Sequence, residues 1–388
     1  MNVAVSIDRL DRDTPNGMQR VAAETARHLV RQGHEVTILT LRRHLEPARE
    51  DRDGVRVVRY DGPGSAVGDA IAGFRALRDL HARRPIDVLH AHFAYCALGP
   101  LAASVGRMAR VRTYHGAWNL EAIAERPALP SDRFRYGVEW TGLRTADRVI
   151  VLSDYARAQI VRAFGVDDDR IDRIPGGVDL AGFAPTEQRG SYRRTFNLEP
   201  DAFVIACVGR LVKRKGFDRL IAALPAILQA IPHAVLLIGG DGAERPALEA
   251  QIARLGLGAR VRLLGYLGET LPDLYRGADV VVVPSLSLET FGLVTVEALA
   301  AGTPVIGMPT GATPEILRAL DPRLIARSTT SGALADAVVR FARAHSDTDE
   351  TRTRLKAFTA RYSWSNHARA VERVLLQVVD ERFRRQLP

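Results

Sequence analysis

Short apolar runs alternate along the chain with longer amphipathic stretches. The first runs lie at residues 3–7, 33–43, 55–59, 88–92, 111–114 and 149–152. They are brief and rich in Val and Ile, and turn residues bound them, which predicts buried strands. Residues 17–31 show helical periodicity and stop at Gly33. Helical stretches fit between most of the strands, so the expectation is α/β, with a doubly wound parallel sheet. The pattern breaks at IPGGVDLAGFAP, residues 174–185, which reads as a linker. A fresh series at 203–208, 234–238, 261–264, 280–283 and 304–307 predicts a second unit of the same kind. The expected domains are residues 1–182, residues 183–360 and an arginine-rich helical tail, 361–388. Open α/β sheets bind ligands at the carboxyl ends of their strands, so chemistry is expected just after each strand and a cleft between the two domains.

Composition adds limits. A length of 388 residues exceeds what one core of about 250–300 residues supports. A hydrophobic content of 46% and a charged content of 26% suit a soluble globular protein. The residues after Met1 form no basic and apolar leader, and no run nears the ~20 apolar residues of a membrane span. The two cysteines, Cys96 and Cys207, stand far apart. Disulfides and a cysteine metal site are therefore not expected, and a cytoplasmic setting is. The net charge of +9 comes from 51 arginines and only three lysines, Lys213, Lys215 and Lys356. It is spread as +3 over residues 1–182 and +6 over 183–388, without the dense stripe of a nucleic-acid binder. Peripheral contact of a basic face with an anionic membrane stays open.

PSLSLETFGLVTVEALAAGTPVI, residues 284–306, carries Glu289 and Glu297. On one helix, beginning near Phe291 or Gly292 and ending at Ala301, they would stand ~12 Å apart. That is too far for one ion and beyond the ~5–9.5 Å of paired glycosidase carboxylates. It suits the two hydroxylated ends of a nucleoside diphosphate sugar. The backbone N–H groups of Phe291, Gly292 and Leu293 would face the anionic middle. The competing reading is a dipole-favoured glutamate and an unrelated surface one. GRLVKRKGFDRL, residues 209–220, follows a strand and offers Arg210 and Lys215 to a departing diphosphate. Lys213 and Arg214 read as a solvated turn. Gly17 opens the first helix, where backbone approaches a phosphate or sugar closely. His115 follows the 111–114 strand and could donate to a reacting sugar, although a lone histidine is more often structural. GATPEIL, residues 311–317, predicts a turn into a helix with Pro314 at its first position. His90 and His92 have a metal-like spacing but no acidic third ligand nearby.

GGVD at 176–179, Arg210 with Lys215, Glu289 and Glu297 eight apart, and GATPE occur in this order. Together they resemble the retaining glycosyltransferases of family four, of GT-B fold: two Rossmann-like domains facing across a cleft. The resemblance covers nearly the whole chain. It implies a catalytic set of His115, Arg210, Lys215 and Glu289. It assigns donor binding to Gly17, Gly209, Arg210, Lys215, Glu289, Phe291, Gly292, Leu293 and Glu297, with Glu297 on the ribose. It implies a metal-independent transfer with no cofactor, from a nucleotide-sugar donor, most commonly a UDP-sugar. The acceptor would be a sugar, a lipid-linked sugar or a small molecule. The 361–388 helix is expected to pack back on the first domain. Two positions depart from the family: Asn16 precedes Gly17 where a second glycine is usual, and is expected to tolerate positive φ; Thr290 replaces a common glycine.

Other readings have less to stand on. A metal-dependent GT-A enzyme would use Asp11-Arg12-Asp13 or Asp51-Arg52-Asp53, read here as acidic loops. A pyridoxal phosphorylase would need a Schiff-base lysine, and only Lys356 is left for it. GPGSAVG at 62–68 misses the dinucleotide fingerprint by one position. A sugar-nucleotide epimerase or hydrolase, or a non-catalytic binder, remains the alternative.

Overall fold

The structure, a computed structural model, describes residues 1–11, 16–43, 46–93, 108–185, 189–344 and 348–384. Cys96, and Arg12 and Asp13 of the first Asp-x-Asp, lie outside the described residues. The chain forms two compact units. The first comprises Met1–Ile123, Pro127–Gly177 and Trp364–Pro388; the second comprises Ala124–Arg126 and Val178–Ser363.

The first unit holds β1 (Asn2–Ser6), β2 (Glu35–Leu41), β3 (Arg49–Arg52), β4 (Val55–Tyr60), β5 (Val88–Ala91), β6 (Ala109–Tyr114), β7 (Arg148–Val151) and β8 (Ile171–Arg173). They lie in the order β3-β4-β2-β1-β5-β6-β7-β8. Only β3 is antiparallel, against β4. The second unit holds β9 (Phe203–Val208), β10 (Ala234–Gly239), β11 (Val261–Gly265), β12 (Val280–Val283) and β13 (Val305–Gly307), in the order β11-β10-β9-β12-β13. This sheet is parallel throughout. Helices cover both faces of a parallel sheet, so its strands are apolar without alternation. All four valines of β12 are buried accordingly.

Both sheets are doubly wound. In each, the unit's first strand in the chain is flanked on one side by the strand that follows it directly and on the other by one that arrives later. The loops leaving such a pair part in opposite directions and open a crevice at the strands' carboxyl ends. In the first unit the pair is β1 and β5; in the second it is β9 and β12.

Two strands escaped the sequence pattern. β3 is Arg-Glu-Asp-Arg, a polar edge strand with no apolar signature. It joins β4 through a tight turn at Asp53 (φ 53°) and Gly54 (φ 82°). Asp51-Arg52-Asp53 is thus part of a hairpin, not an acidic loop. β8 is three residues long. Asn16 also differs from expectation. Its φ is −74°, and its side chain accepts from Gln19 N at 3.0 Å, capping the helix Gly17–Arg31.

The helix Trp364–Arg384 belongs to the first unit. Val371, Val374, Leu375 and Val378 join Val3, Val5 and Leu29 in one core. His367 bridges the Pro175 carbonyl at 2.7 Å and the Thr25 hydroxyl at 3.0 Å. Gly177, of the GGVD motif, lies against Trp364: a Cβ there would fall 2.2 Å from the indole ring. Asp179 of the same motif accepts from Gly182 N at 3.0 Å and caps the turn Leu180–Phe183. Among the described residues no helix is long and apolar enough to cross a membrane.

All three tryptophans, Trp118, Trp140 and Trp364, lie in the first unit, so their emission reports its unfolding alone. Leu375→Ala should cost the first unit about 2–5 kcal/mol in a denaturant titration followed by that emission. The same change at half-exposed Leu376 should cost within about 0.5 kcal/mol. Equal effects at both would remove this helix from the core.

Candidate active site

In the second unit Lys215 and Glu289 meet at the carboxyl ends of β9 and β12. Lys213–Lys215 forms a single 3-10 turn after β9 and leads into the helix Phe217–Ala230. Gly216 between them has φ 66°, and a Cβ on it would lie 2.2 Å from the Pro284 carbonyl oxygen. Glycine is therefore required on both conformational and steric grounds. Its contact sets the Lys215 turn against the loop after β12. The Arg214 carbonyl accepts from Leu286 N at 2.8 Å, reinforcing that seam. Arg214 is buried, so the expectation of a solvated turn fails for it; Lys213 is exposed, as expected.

Lys215 Nζ donates to Glu289 Oε2 at 2.5 Å, and Ser285 Oγ donates to the same oxygen at 3.0 Å. Burial alone would push the Glu289 carboxyl up. The charge and hydrogen bond of Lys215, with the Ser285 hydroxyl, outweigh burial and hold it below the usual carboxylate range. Glu289 stays ionised and Lys215 faces an anion.

Glu289 is not on the helix with Glu297. The helix is Leu293–Ala300, with Gly292 at its N-cap (φ 89°). Glu289 lies in the preceding loop, next to Leu288 at φ 57°. A branched residue in that region is strained by about 1 kcal/mol or more. The GATPE turn fixes the Glu289 backbone: its carbonyl accepts from Ala312 N at 2.8 Å. Gly311 has φ 68°, and a Cβ on it would come within 2.7 Å of Glu289 Cβ. Thr310 Oγ1 also donates to the Ser285 carbonyl. Pro314 is the second residue of the helix Thr313–Leu320, one later than expected. Glu297 is buried in the middle of its helix, and Tyr275 Oη donates to its Oε2 at 3.4 Å. Phe291 is buried and its ring stands 6.0 Å from that of Tyr362.

Arg210 is exposed on the loop after β9. Gly209 N donates to the Gly239 carbonyl at 3.0 Å, and a Cβ on Gly240 would fall 1.9 Å from the Gly209 oxygen. The GGDG run at 239–242 thus packs against the loop after β9. The sequence reading passed it over, although two glycines directly after a strand were the signal. Ser285 and Tyr275, the partners of the two glutamates, carried no signal of their own.

Gly17 and His115 belong to the first unit. Gly17 is exposed in the first turn of its helix. His115 follows β6, and its Nε2 is 3.0 Å from His92 Nδ1. The backbone that carries it is anchored by Glu139. That carboxylate accepts from Arg112 Nη2 at 2.5 Å and from Trp118 N at 3.3 Å. Burial pushes the Glu139 carboxyl up against the opposing charge of Arg112. Among the described residues no group of three or more His, Cys, Asp or Glu is arranged to hold a metal ion.

Known proteins resemble this chain in sequence and fold. Residues 15–181 match the family model for glycosyltransferase family 4, and residues 188–361 match that for group 1 glycosyl transferases. D-inositol 3-phosphate glycosyltransferase of Actinosynnema mirum is 34% identical, over 84% of each chain. This chain belongs to glycosyltransferase family 4. It is therefore a sugar-transferring enzyme of GT-B type. The counterpart from Nocardia farcinica is 33% identical, over 91% of this chain and 82% of its own length. Among solved structures, sucrose-phosphate synthase from Thermosynechococcus elongatus superposes with a TM-score of 0.84 at 26% identity, over 98% of this chain and 99% of its own. Anabaena Alr3699/HepE, solved with UDP and glucose, gives 0.78 at 21% identity, over 97% of this chain and 100% of its own, and shares the fold.

The family 4 enzyme should be acid-labile in its first unit. Burial holds His90 and His115 neutral down to about 3 and His367 down to about 4, and lowers His92 as well. These groups bind protons in the unfolded chain near pH 6.5 but not in the folded one. Their stabilisation is complete above pH 6.5 and drains as pH falls towards the folded values. The loss should be about 1 kcal/mol per histidine per pH unit in tryptophan-detected unfolding between pH 6 and 4.5. A flat profile over that range would contradict it.

Proposed function

We propose that the enzyme moves a sugar from a UDP-sugar to an acceptor hydroxyl with retention at the anomeric carbon and without a metal ion. The contact of Lys215 with Glu289 at the carboxyl ends of β9 and β12 carries this reading. A compact cation and an ionised carboxylate stand side by side where a Rossmann-like sheet binds its ligand. The diphosphate would take Lys215, with Arg210 as a second cation. The sugar hydroxyls would take Glu289, helped by the backbone of Phe291, Gly292 and Leu293, and the donor would also take the Gly209 loop and, from the first unit, Gly17. Glu297 would accept from the ribose. His115 would donate to the sugar near the reacting carbon. The leaving phosphate would collect the acceptor's proton, and the two cations would do the work that a divalent ion does elsewhere. The choice of UDP is supported by Alr3699/HepE, which holds UDP and glucose on the same fold. An acceptor of sugar or polyol class is supported by the relatives named for D-inositol 3-phosphate.

Lys215→Ala and Arg210→Ala should each lower UDP-sugar turnover about 10²–10³-fold, measured in EDTA with the wild type fully active. Wild-type rates in either variant, or a wild type silenced by EDTA and restored by a divalent ion, would overturn the proposal. Contact with an anionic membrane is part of the same reading. The helix Pro130–Thr145 exposes Phe134, Tyr136 and Trp140 beside exposed Arg133 and Arg144, while its acids Asp132 and Glu139 are buried. The enzyme should pellet with phosphatidylglycerol vesicles and not with phosphatidylcholine ones, and Phe134→Ala with Trp140→Ala should weaken this at least threefold. Equal binding to both vesicles would refute it.

A further inference from the structure

Buried His90, His92 and Thr113 and half-buried His115 form a chain of rings and hydroxyl at the carboxyl ends of β5 and β6. His90 Nε2 meets Thr113 Oγ1 at 2.7 Å. The His90 and His92 rings lie 4.3 Å apart, and the His92 and His115 rings stack at 5.2 Å with 24° between planes. His92 Nδ1 and His115 Nε2 are 3.0 Å apart. His90 is thus fixed by Thr113, backs His92, and His92 in turn meets His115. Nothing in the transfer reaction described above uses His92.

We propose that His92 is a positioning residue, which donates from Nδ1 to His115 Nε2 and so fixes both the ring plane and the tautomer that His115 offers to the reacting sugar. The inference rests on the reading of His115 as a substrate contact. One proton lies between two neutral imidazoles, and the two placements are not equivalent. If His115 donated, His92 would carry its own proton on Nε2. That nitrogen is buried and has no partner among the described residues. A buried donor left unpaired is the costlier arrangement and the rarer one. With His92 donating, the unpaired nitrogen is only a bare acceptor. The proton of His115 then stands on Nδ1, turned away from His92 as a donor. A ring free to change tautomer would present a lone pair to a sugar hydroxyl for part of the time. Second partners that hold a histidine's tautomer are worth about 10–100-fold where they have been removed at metal sites.

Imidazole nitrogen–proton correlation spectra of the ¹⁵N-labelled enzyme should show His115 protonated on Nδ1. In His92→Phe that assignment should shift towards Nε2. UDP release from UDP-glucose should fall about 10–100-fold in kcat with KM within about threefold. His92→Asn, whose amide nitrogen can stand where Nδ1 stood, should recover most of the rate. A wild-type His115 protonated on Nε2 overturns the proposal. So does full turnover in His92→Phe with its tryptophan emission unchanged. Should UDP-glucose not be turned over, the tautomer decides alone. Wild-type turnover in His115→Ala would instead remove the role of His115 itself. A slow His115→Ala beside a normal His92→Phe removes only His92.

Discussion

The contact of Lys215 with Glu289 depends on the sheet's winding before it depends on either residue. A parallel sheet that starts in its middle must send two neighbouring loops apart, and β9 and β12 are those neighbours. A half-buried ion pair such as this gains little net stability, because two charges lose much of their water. Its persistence here has to be enforced by the surrounding backbone. Gly216 set on the Pro284 carbonyl fixes one side. The Ala312 hydrogen bond and Gly311 packed on Glu289 fix the other. Leu288, held at positive φ between them, shows that the loop is shaped by these contacts rather than by its own preference.

The first unit solves a different problem. It holds His115 just after β6, with its Nε2 3.0 Å from His92 Nδ1. Around it stand buried polar side chains, most of whose polar atoms are paired, with His92 Nε2 and His90 Nδ1 among those that have no partner among the described residues. Arg112 and Glu139 tie the strand to the loop behind it, and Thr113, His90 and His92 line up beside His115. The helix Trp364–Arg384 completes the same core and brings His367 to Pro175 and Thr25. Burying neutral imidazoles in this way exchanges acid tolerance for rigidity.

Much of this was legible in the residues. Apolar runs alternating with helical stretches announced a parallel sheet, and β9 and β12 have the bounds expected of them. The positions after those strands announced where charge would gather. What was hidden depends on contacts distant in sequence. β3 is polar because it is an edge, so no apolar pattern marks it. Arg214 looked like solvent-exposed charge because nothing local shows that Leu286 covers its backbone. The axial distance between Glu289 and Glu297 assumed one continuous helix. Only the positive φ of Leu288 and Gly292 shows that the chain turns before the helix starts.

The choice of lysine at 215 follows from this geometry. The chain uses arginine almost everywhere, with only three lysines in all. At 215 both donors, Nζ and Ser285 Oγ, meet one oxygen of Glu289, and neither contact falls on Oε1. A guanidinium prefers to bind both carboxylate oxygens with its planar fork. It would span Oε1 and Oε2 and compete with Ser285. An ammonium is a point charge and is satisfied by a single oxygen. It can also swing towards a phosphate without releasing a paired set of bonds. Lysine keeps the carboxylate ionised and leaves Oε1 outside the contact, the oxygen that the proposed reading gives to a sugar hydroxyl; a bidentate arginine at the same position would occupy both.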